Sequence, residues 1–502
     1  MDTSEGMGRS AGAAGIRLGV VRGISYGMFG APDSFVPEIR KLGGGLVRVY
    51  VYWGQVEPEP DRFDWTVVDA VLGQLDPAAE TWVTVCSSSP WATRHSTDFL
   101  PSSPAKDLER YERFVREVVS RCRGRVDYWQ CNNEPSNTGL LWAGTAPEYV
   151  DQLTVFHRVV RAFDPGAAVV LGGCGYDVLS SPPDSPARQF FDHLVEHGRD
   201  AFDLFSVHLY GDPHAIPDQV AAVRAMMRRH GYERPVVAGE YNGPTLFEFP
   251  EAQGEFEQTM MAAFTGAGAC SGSASEAGAG TGGIAAAADE EAVEPPDRKA
   301  MRALYARMPD LPPQLQMFLE GCPPELAAKR DRINQRQIVT RNVLAFASGL
   351  TRTACWNLAP EIPDYSDRFN LMGFLFGKLA LMDYEGRQLT CRRPAADTFA
   401  LLAERLHGAT AIRRLDHDHD GRPLFAFEVV RDGREPLHVL WADGDAFTGE
   451  DQPPTPVDWP WPHPTAQAVD AFGTHQPTQH DGVTVHLTLS VTPLFLSTDR
   501  QS

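Results

Sequence analysis

At 502 residues, with 43% hydrophobic and 10% aromatic side chains, the chain exceeds one ordinary core and has apolar surface for two or three domains. Its formal net charge of −21 excludes nucleic acid and anionic membrane surfaces as natural partners and favours neutral or cationic small molecules. No run of about 20 apolar residues occurs, so no membrane-spanning helix is expected.

Residues 1–15 carry acids where a secretion signal needs basic residues, and Gly interrupts their apolar run. They are expected to form a disordered tail on a cytoplasmic protein. From Ile16 onward, short β-branched or aromatic runs alternate with longer amphipathic segments, the pattern of βα units around a parallel sheet. The predicted strands are Leu18–Ile24, Leu46–Tyr52, Thr81–Cys86, Val126–Cys131, Ala168–Gly172, Leu204–Leu209, Pro235–Gly239 and Arg352–Asn357. Eight is the number that closes a (β/α)8 TIM barrel, expected over residues 16–405. Between strands, Ser103–Arg121 reads as a helix with Pro104 in its first turn, and a second runs from the Thr145 cap to Pro165-Gly166.

More than 100 residues separate the seventh and eighth strands. About two-thirds of Thr265–Glu294 is Gly, Ala or Ser, a composition that cannot offset its ordering entropy. A flexible insertion is therefore predicted at about 265–295, flanked by short helices over Arg298–Met308 and Pro313–Glu320. A tolerated surface excursion, an active-site lid and a homo-oligomer contact are its alternative roles. Beyond residue 405 the pattern changes to short strands and tight turns, with a hairpin signal at Asp432-Gly433 and alternation through Val483–Ser497 that reads as a paired hairpin. Residues 406–502 are expected to form an all-β sandwich, with room for an N-terminal segment as an extra strand. The run Asp416–Gly421 resembles the start of a calcium loop, but Phe427 stands where a bidentate Glu belongs, so it reads as a hairpin loop. The eight cysteines show no metal-ligand spacing and read as reduced thiols. No cofactor motif is present, and none is expected.

Catalytic groups in such barrels sit at the C-terminal strand ends. Those positions hold Arg48 and Trp53 on the second strand, Trp91 after the third, Asn133 and Glu134 after the fourth. His208 and Tyr210 follow on the sixth, Glu240 and Tyr241 on the seventh, and Trp356 on the eighth. Two carboxyl groups delivered to one mouth are what glycoside hydrolysis requires, and tryptophan faces suit sugar rings. Each residue alone also has a structural explanation: a solvated strand end for either Glu, turn chemistry for Asn133, an interior ion pair for Arg48, core packing for His208 or Trp356. Their joint placement favours chemistry.

The run Asn133-Glu134-Pro135 with the following helix and strand, Ser206–Tyr210, and Glu240 resemble the clan A glycoside hydrolases, most closely family 39. The resemblance spans about Ile16 to Phe399, with the β-rich tail matching that family's accessory sandwich. It implies a retaining double displacement with Glu134 as acid/base and Glu240 as nucleophile. Asn133 would bind a sugar hydroxyl, Tyr210 or Tyr241 would orient the nucleophile, and His208 and Arg48 would support the subsite. Asn132 and Gly239 depart from the family pattern, which has an aromatic residue at the first and a bulkier one at the second; Asn132 becomes the first place to look for substrate preference. A carbohydrate substrate is implied, acted on in an exo manner as an oligosaccharide or small glycoside. An endo-acting glycanase with an open cleft and a non-catalytic carbohydrate-binding barrel are the alternatives.

Overall fold

Alternation of β-branched and inward-facing residues builds the central sheet. The computed structural model describes residues 15–268, 294–361, 368–416, 423–431 and 433–498. Eight parallel strands, β1 (Arg17–Val21), β2 (Leu46–Tyr52), β3 (Glu80–Cys86), β4 (Tyr128–Cys131), β5 (Ala168–Val170), β6 (Phe205–Leu209), β7 (Val236–Tyr241) and β8 (Arg352–Cys355), form one sheet. Their order is β5-β4-β3-β2-β1-β8-β7-β6, and bridges from Val170 to Leu204 and from Cys174 to Val207 join the two outer strands into a barrel.

The seven residues of β2 show how the sequence sorts the two faces. Val47, Val49 and Val51 pack outward against the helices, whereas Leu46, Tyr50 and Tyr52 belong to the interior cluster, with Arg48 between them on the same face. Strand β6 does the same, with Phe205, Val207 and Leu209 in the outer layer. The outer helices begin where their caps dictate. The Asp107 side chain accepts from the Glu109 amide ahead of Leu108–Cys122, and Thr145 with Glu148 forms a capping box for Ala146–Phe163.

The long β7-to-β8 connection is largely helical. Helices Pro250–Gly268, Pro296–Ala306, Pro313–Gln316 and Pro324–Ala347 follow one another. Leu246, Phe249, Met301, Leu304, Leu315 and Phe318 make a satellite core with Phe374. The first of these helices runs into the segment expected to be flexible; residues 269–293 of that segment lie outside the described residues.

A hairpin that the sequence did not suggest, β9 (Met382–Glu385) with β10 (Gln388–Arg392), precedes the last helix, Pro394–Arg405. The C-terminal region then supplies β11 (Ala409–Arg414), β12 (Leu424–Arg431), β13 (Leu437–Ala442), β14 (Thr455–Pro460), β15 (Gln467–Asp470), β16 (His475–Gln476), β17 (Gln479–His480), β18 (Thr484–Leu489) and β19 (Leu494–Ser497). A six-stranded antiparallel sheet, β11-β12-β13-β19-β15-β16, faces a three-stranded one, β14-β18-β17. Leu440, Val457, Trp459, Trp461, Val485, Leu487 and Leu496 fill the space between them.

One strand expectation fails. Strands β18 and β19 do not pair with each other: β18 pairs with β14 and β17, and β19 with β13 and β15. The Val491-Thr492-Pro493 link carries the chain across the sandwich, a distinction that alternation alone does not encode. The proposed N-terminal extra strand, Asp432 of the hairpin signal, and positions 417–422 of the calcium-like run lie outside the described residues. Phe427 is a buried β12 residue. Among the described residues seven cysteines are free thiols, five of them buried. No helix among the described residues is long and apolar enough to cross a membrane.

Candidate active site

The interior face of the barrel places Arg48, Tyr50, Thr84, Gln130, Asn133, His208, Tyr210 and Glu240 around one point at the C-terminal strand ends. Glu240 is the hub. Its Oε1 accepts from the Tyr50 hydroxyl at 2.8 Å, from Arg48 Nη1 at 3.1 Å and from Asn133 Nδ2 at 3.4 Å; its Oε2 accepts from the Tyr210 hydroxyl at 2.9 Å. Arg48 is fully buried, and its remaining donors meet the Gly239 carbonyl, Thr84 and the Asn133 Oδ1. Gln130 also donates to Asn133 Oδ1, at 3.1 Å, so the Asn133 amide is held with its NH2 toward Glu240. Burial pushes the Tyr50 and Tyr210 hydroxyls well above the usual phenol range, which keeps both as donors.

Glu240 reaches the interior because its strand is irregular. Val237 faces in and Ala238 out, so strict alternation would send Glu240 outward. The ladder with β6 passes from Val207–Ala238 directly to His208–Glu240, leaving Gly239 as the extra residue of a bulge. A Cβ at Gly239 would stand 2.5 Å from Ser206 Oγ and 3.1 Å from Arg48 Nη1, so a side chain there collides with Ser206 and crowds the guanidinium that bonds Glu240.

Glu134 arrives on a strained segment. Asn132 and Glu134 both take positive φ, 53° and 39°, flanking Asn133. Such a conformation costs a non-glycine residue roughly 1–2 kcal/mol and clusters at functional sites. Glu134 Oε1 lies 2.5 Å from His208 Nδ1, and that nitrogen is 3.4 Å from Glu240 Oε2. The imidazole therefore stands between the two carboxyl groups. It fits because Gly173 has no side chain: a Cβ there would overlap His208 Nε2.

The expected residues separate into two sets. Arg48, Asn133, Glu134, His208, Tyr210 and Glu240 are brought together, and Trp356 joins Tyr50, Tyr210 and Phe376 in the interior aromatic cluster with its indole N–H unpaired. Trp53, Trp91 and Tyr241 are not at the mouth. Trp53 is fully buried outside the barrel, stacked on Phe114 and bonded to Glu57, because the chain has already entered the helix Trp53–Val56. Trp91 packs edge-on against Trp53 and donates to the Glu57 carbonyl. Tyr241 follows Glu240 directly and so faces the helix layer. Asn132 is fully buried and caps another strand end: its Oδ1 accepts from the Ser87 amide at 2.7 Å and the Ser87 hydroxyl at 3.1 Å. Its side chain bonds Ser87 and Cys131 and neither Glu134 nor Glu240.

Sequence reasoning missed Tyr50, although it lies two residues beyond Arg48 on the same strand face. It also missed Asp177, in the short helix Tyr176–Ser180 after β5, for which the sequence carries no signal. Its Oδ1 and the Glu134 carboxyl both lie close to Gly175, 2.5 and 3.0 Å from a Cβ built there. Burial first, and then the Glu134 charge, push the Asp177 carboxyl up to about 6.

A cation could be approached by Glu134, His208 and Glu240, whose nearest donor atoms lie within 4.8 Å of one another. Both Glu240 oxygens, however, are already occupied by donors, and Arg48 balances its charge. The set fits an acid pair without an added ion.

Solved structures share this architecture. A family 39 glycoside hydrolase from Bacteroides cellulosilyticus superposes with a TM-score of 0.59 at 13% identity, covering 97% of this chain and 82% of that one. This chain has the fold of the family 39 glycoside hydrolases. The same fold appears in a monomeric beta-xylosidase from Caulobacter crescentus, TM-score 0.51 at 13% identity with 98% of each chain covered. A glucosidase from Croceicoccus marinus gives 0.54 at 15% identity, again over 98% of each chain. No protein-family model matches the sequence, and no curated protein matches it.

Proposed function

We propose that the protein is a retaining glycoside hydrolase acting by double displacement. The observation that carries this reading is the approach of the Glu134 and Glu240 carboxyl groups, with donor atoms within 4.8 Å and His208 between them. Retaining enzymes hold their carboxyl pair about 5–5.5 Å apart; inverting ones need about 6.5–9.5 Å to admit a water. Glu240, fixed by Arg48, Tyr50 and Tyr210, attacks the anomeric carbon. Glu134 first gives its proton to the leaving oxygen and then takes one from the incoming water. Asn133 meets the sugar hydroxyl next to that carbon, and Trp356 offers an apolar face.

Exo action on short glycosides is the reading for substrate, supported by the helical mass that the β7-to-β8 connection adds to one side of the mouth. The glucosidase and beta-xylosidase of similar fold make gluco- and xylo-configured aryl glycosides the first compounds to try. The test is hydrolysis of an aryl-glycoside panel by the wild type, E134Q and E240Q, with the product anomer read by proton NMR. Cleavage with retained configuration, lost at least 100-fold in E240Q, supports the reading. An inactive wild type, inverted product or fully active variants would refute it.

A further inference from the structure

A buried arginine that touches neither the Tyr210 nor the Glu240 side chain holds the backbone carbonyls on both sides of Tyr210. Arg341, on the helix Pro324–Ala347, has no exposed side-chain surface. Its Nη1 donates to the Leu209 carbonyl at 3.0 Å and its Nη2 to the Gly211 carbonyl at 2.6 Å, the two backbone acceptors that flank Tyr210. The same Nη2 meets Glu248 Oε1 at 2.8 Å.

Glu248 belongs to the turn that leaves β7. Its Oε1 accepts from the Thr245 amide at 2.7 Å, and its Oε2 accepts from Gln337, one helical turn before Arg341. Gln337 in turn accepts from Arg341 Nε at 3.2 Å. One guanidinium thus ties the end of β6, which carries Tyr210, to the exit of β7, which carries Glu240. A buried pair of this kind adds little to stability compared with apolar packing of the same volume, because both charges are desolvated. Its physical effect is geometric.

We propose that Arg341 is a positioning residue, holding the backbone on both sides of Tyr210 so that the Tyr210 hydroxyl stays on Glu240 Oε2. This rests on the reading of Glu240 as nucleophile. The planar fork of arginine reaches two carbonyls and a carboxylate at once, a combination that a lysine ammonium on a flexible stem does not reproduce.

The test uses the full chain and an aryl glycoside that the wild type cleaves, with kcat and KM measured for R341K, R341M, Y210F and the R341K/Y210F double variant. R341K is expected to lower kcat about tenfold with KM nearly unchanged, and the double variant to be no slower than Y210F alone, since both losses pass through one hydroxyl. Losses that multiply in the double variant, or a wild-type kcat in R341K, would overturn the proposal. If R341M does not fold, R341K keeps the charge and carries the comparison. A wild type that cleaves no glycoside removes the hydrolase reading itself, and the proposal with it.

Discussion

The Tyr50 hydroxyl donates to Glu240 Oε1 at 2.8 Å, across the barrel from the Tyr210 hydroxyl on Oε2. Each carboxylate oxygen of the proposed nucleophile therefore has its own phenol, and with Arg48 they fix the plane of the carboxylate. Tyr50→Phe is expected to lower kcat about 10- to 100-fold, the range for losing a hydrogen bond to a charged group, with little change in melting temperature. Steady-state kinetics and a thermal melt on the same preparation check both halves.

Gly239→Ala tests the bulge. The new Cβ meets Ser206 Oγ and Arg48, so destabilisation of about 1–3 kcal/mol and a fall in kcat should appear together. Denaturant unfolding that matches the wild type would contradict the tight fit.

Asn132 and Trp53 separate architecture from recognition. Asn132→Ala removes the acceptor for the Ser87 amide and should cost about 1–3 kcal/mol, and Trp53→Ala about 3–5 kcal/mol. Neither is expected to change the order in which sugars are preferred. A switch in that order on the aryl-glycoside panel would return Asn132 to the substrate site.

Asp177 makes stability depend on pH with a definite sign. Its carboxyl is raised from 3.8 to about 6 by burial and the Glu134 charge, so the folded state binds the proton more tightly than the unfolded one. Stability associated with this group is full below about 3.8 and falls as pH rises through about 6. Asp177→Asn should therefore melt higher than the wild type at pH 7 and converge with it near pH 4, a comparison read by paired thermal melts.

Glu450 has the opposite sign. Burial raises its carboxyl, but hydrogen bonds from Arg332 and Arg336 outweigh this and hold it down at about 2. Its contribution is present above 4.5 and lost as pH falls towards 2. These arginines lie on the barrel helix Pro324–Ala347 and Glu450 in the C-terminal region, so Glu450→Gln should loosen the seam between them. The expected loss is on the order of 2 °C at pH 7, shrinking in acid, by differential scanning calorimetry.

The sequence by itself determined the eight barrel strands, the β-rich C-terminal region and the arrival of Glu134 and Glu240 at one end of the barrel. Hydrophobic alternation and capping residues are local signals, and strand ends follow from them. Tyr50 was within reach of the same logic, because its face is set by that of Arg48. Only the tertiary structure decided which aromatic residues meet the site. Trp53, Trp91 and Tyr241 lie at or just beyond strand ends, yet a helix start, a packing contact and the register after a bulge turn them outward. It also decided the neighbours of β18 and β19, and brought Asp177 beside Glu134 and Arg341 to the backbone around Tyr210. These depend on one-residue shifts and on contacts between positions up to 132 residues apart, where side-chain direction is fixed by tertiary packing rather than by nearby sequence.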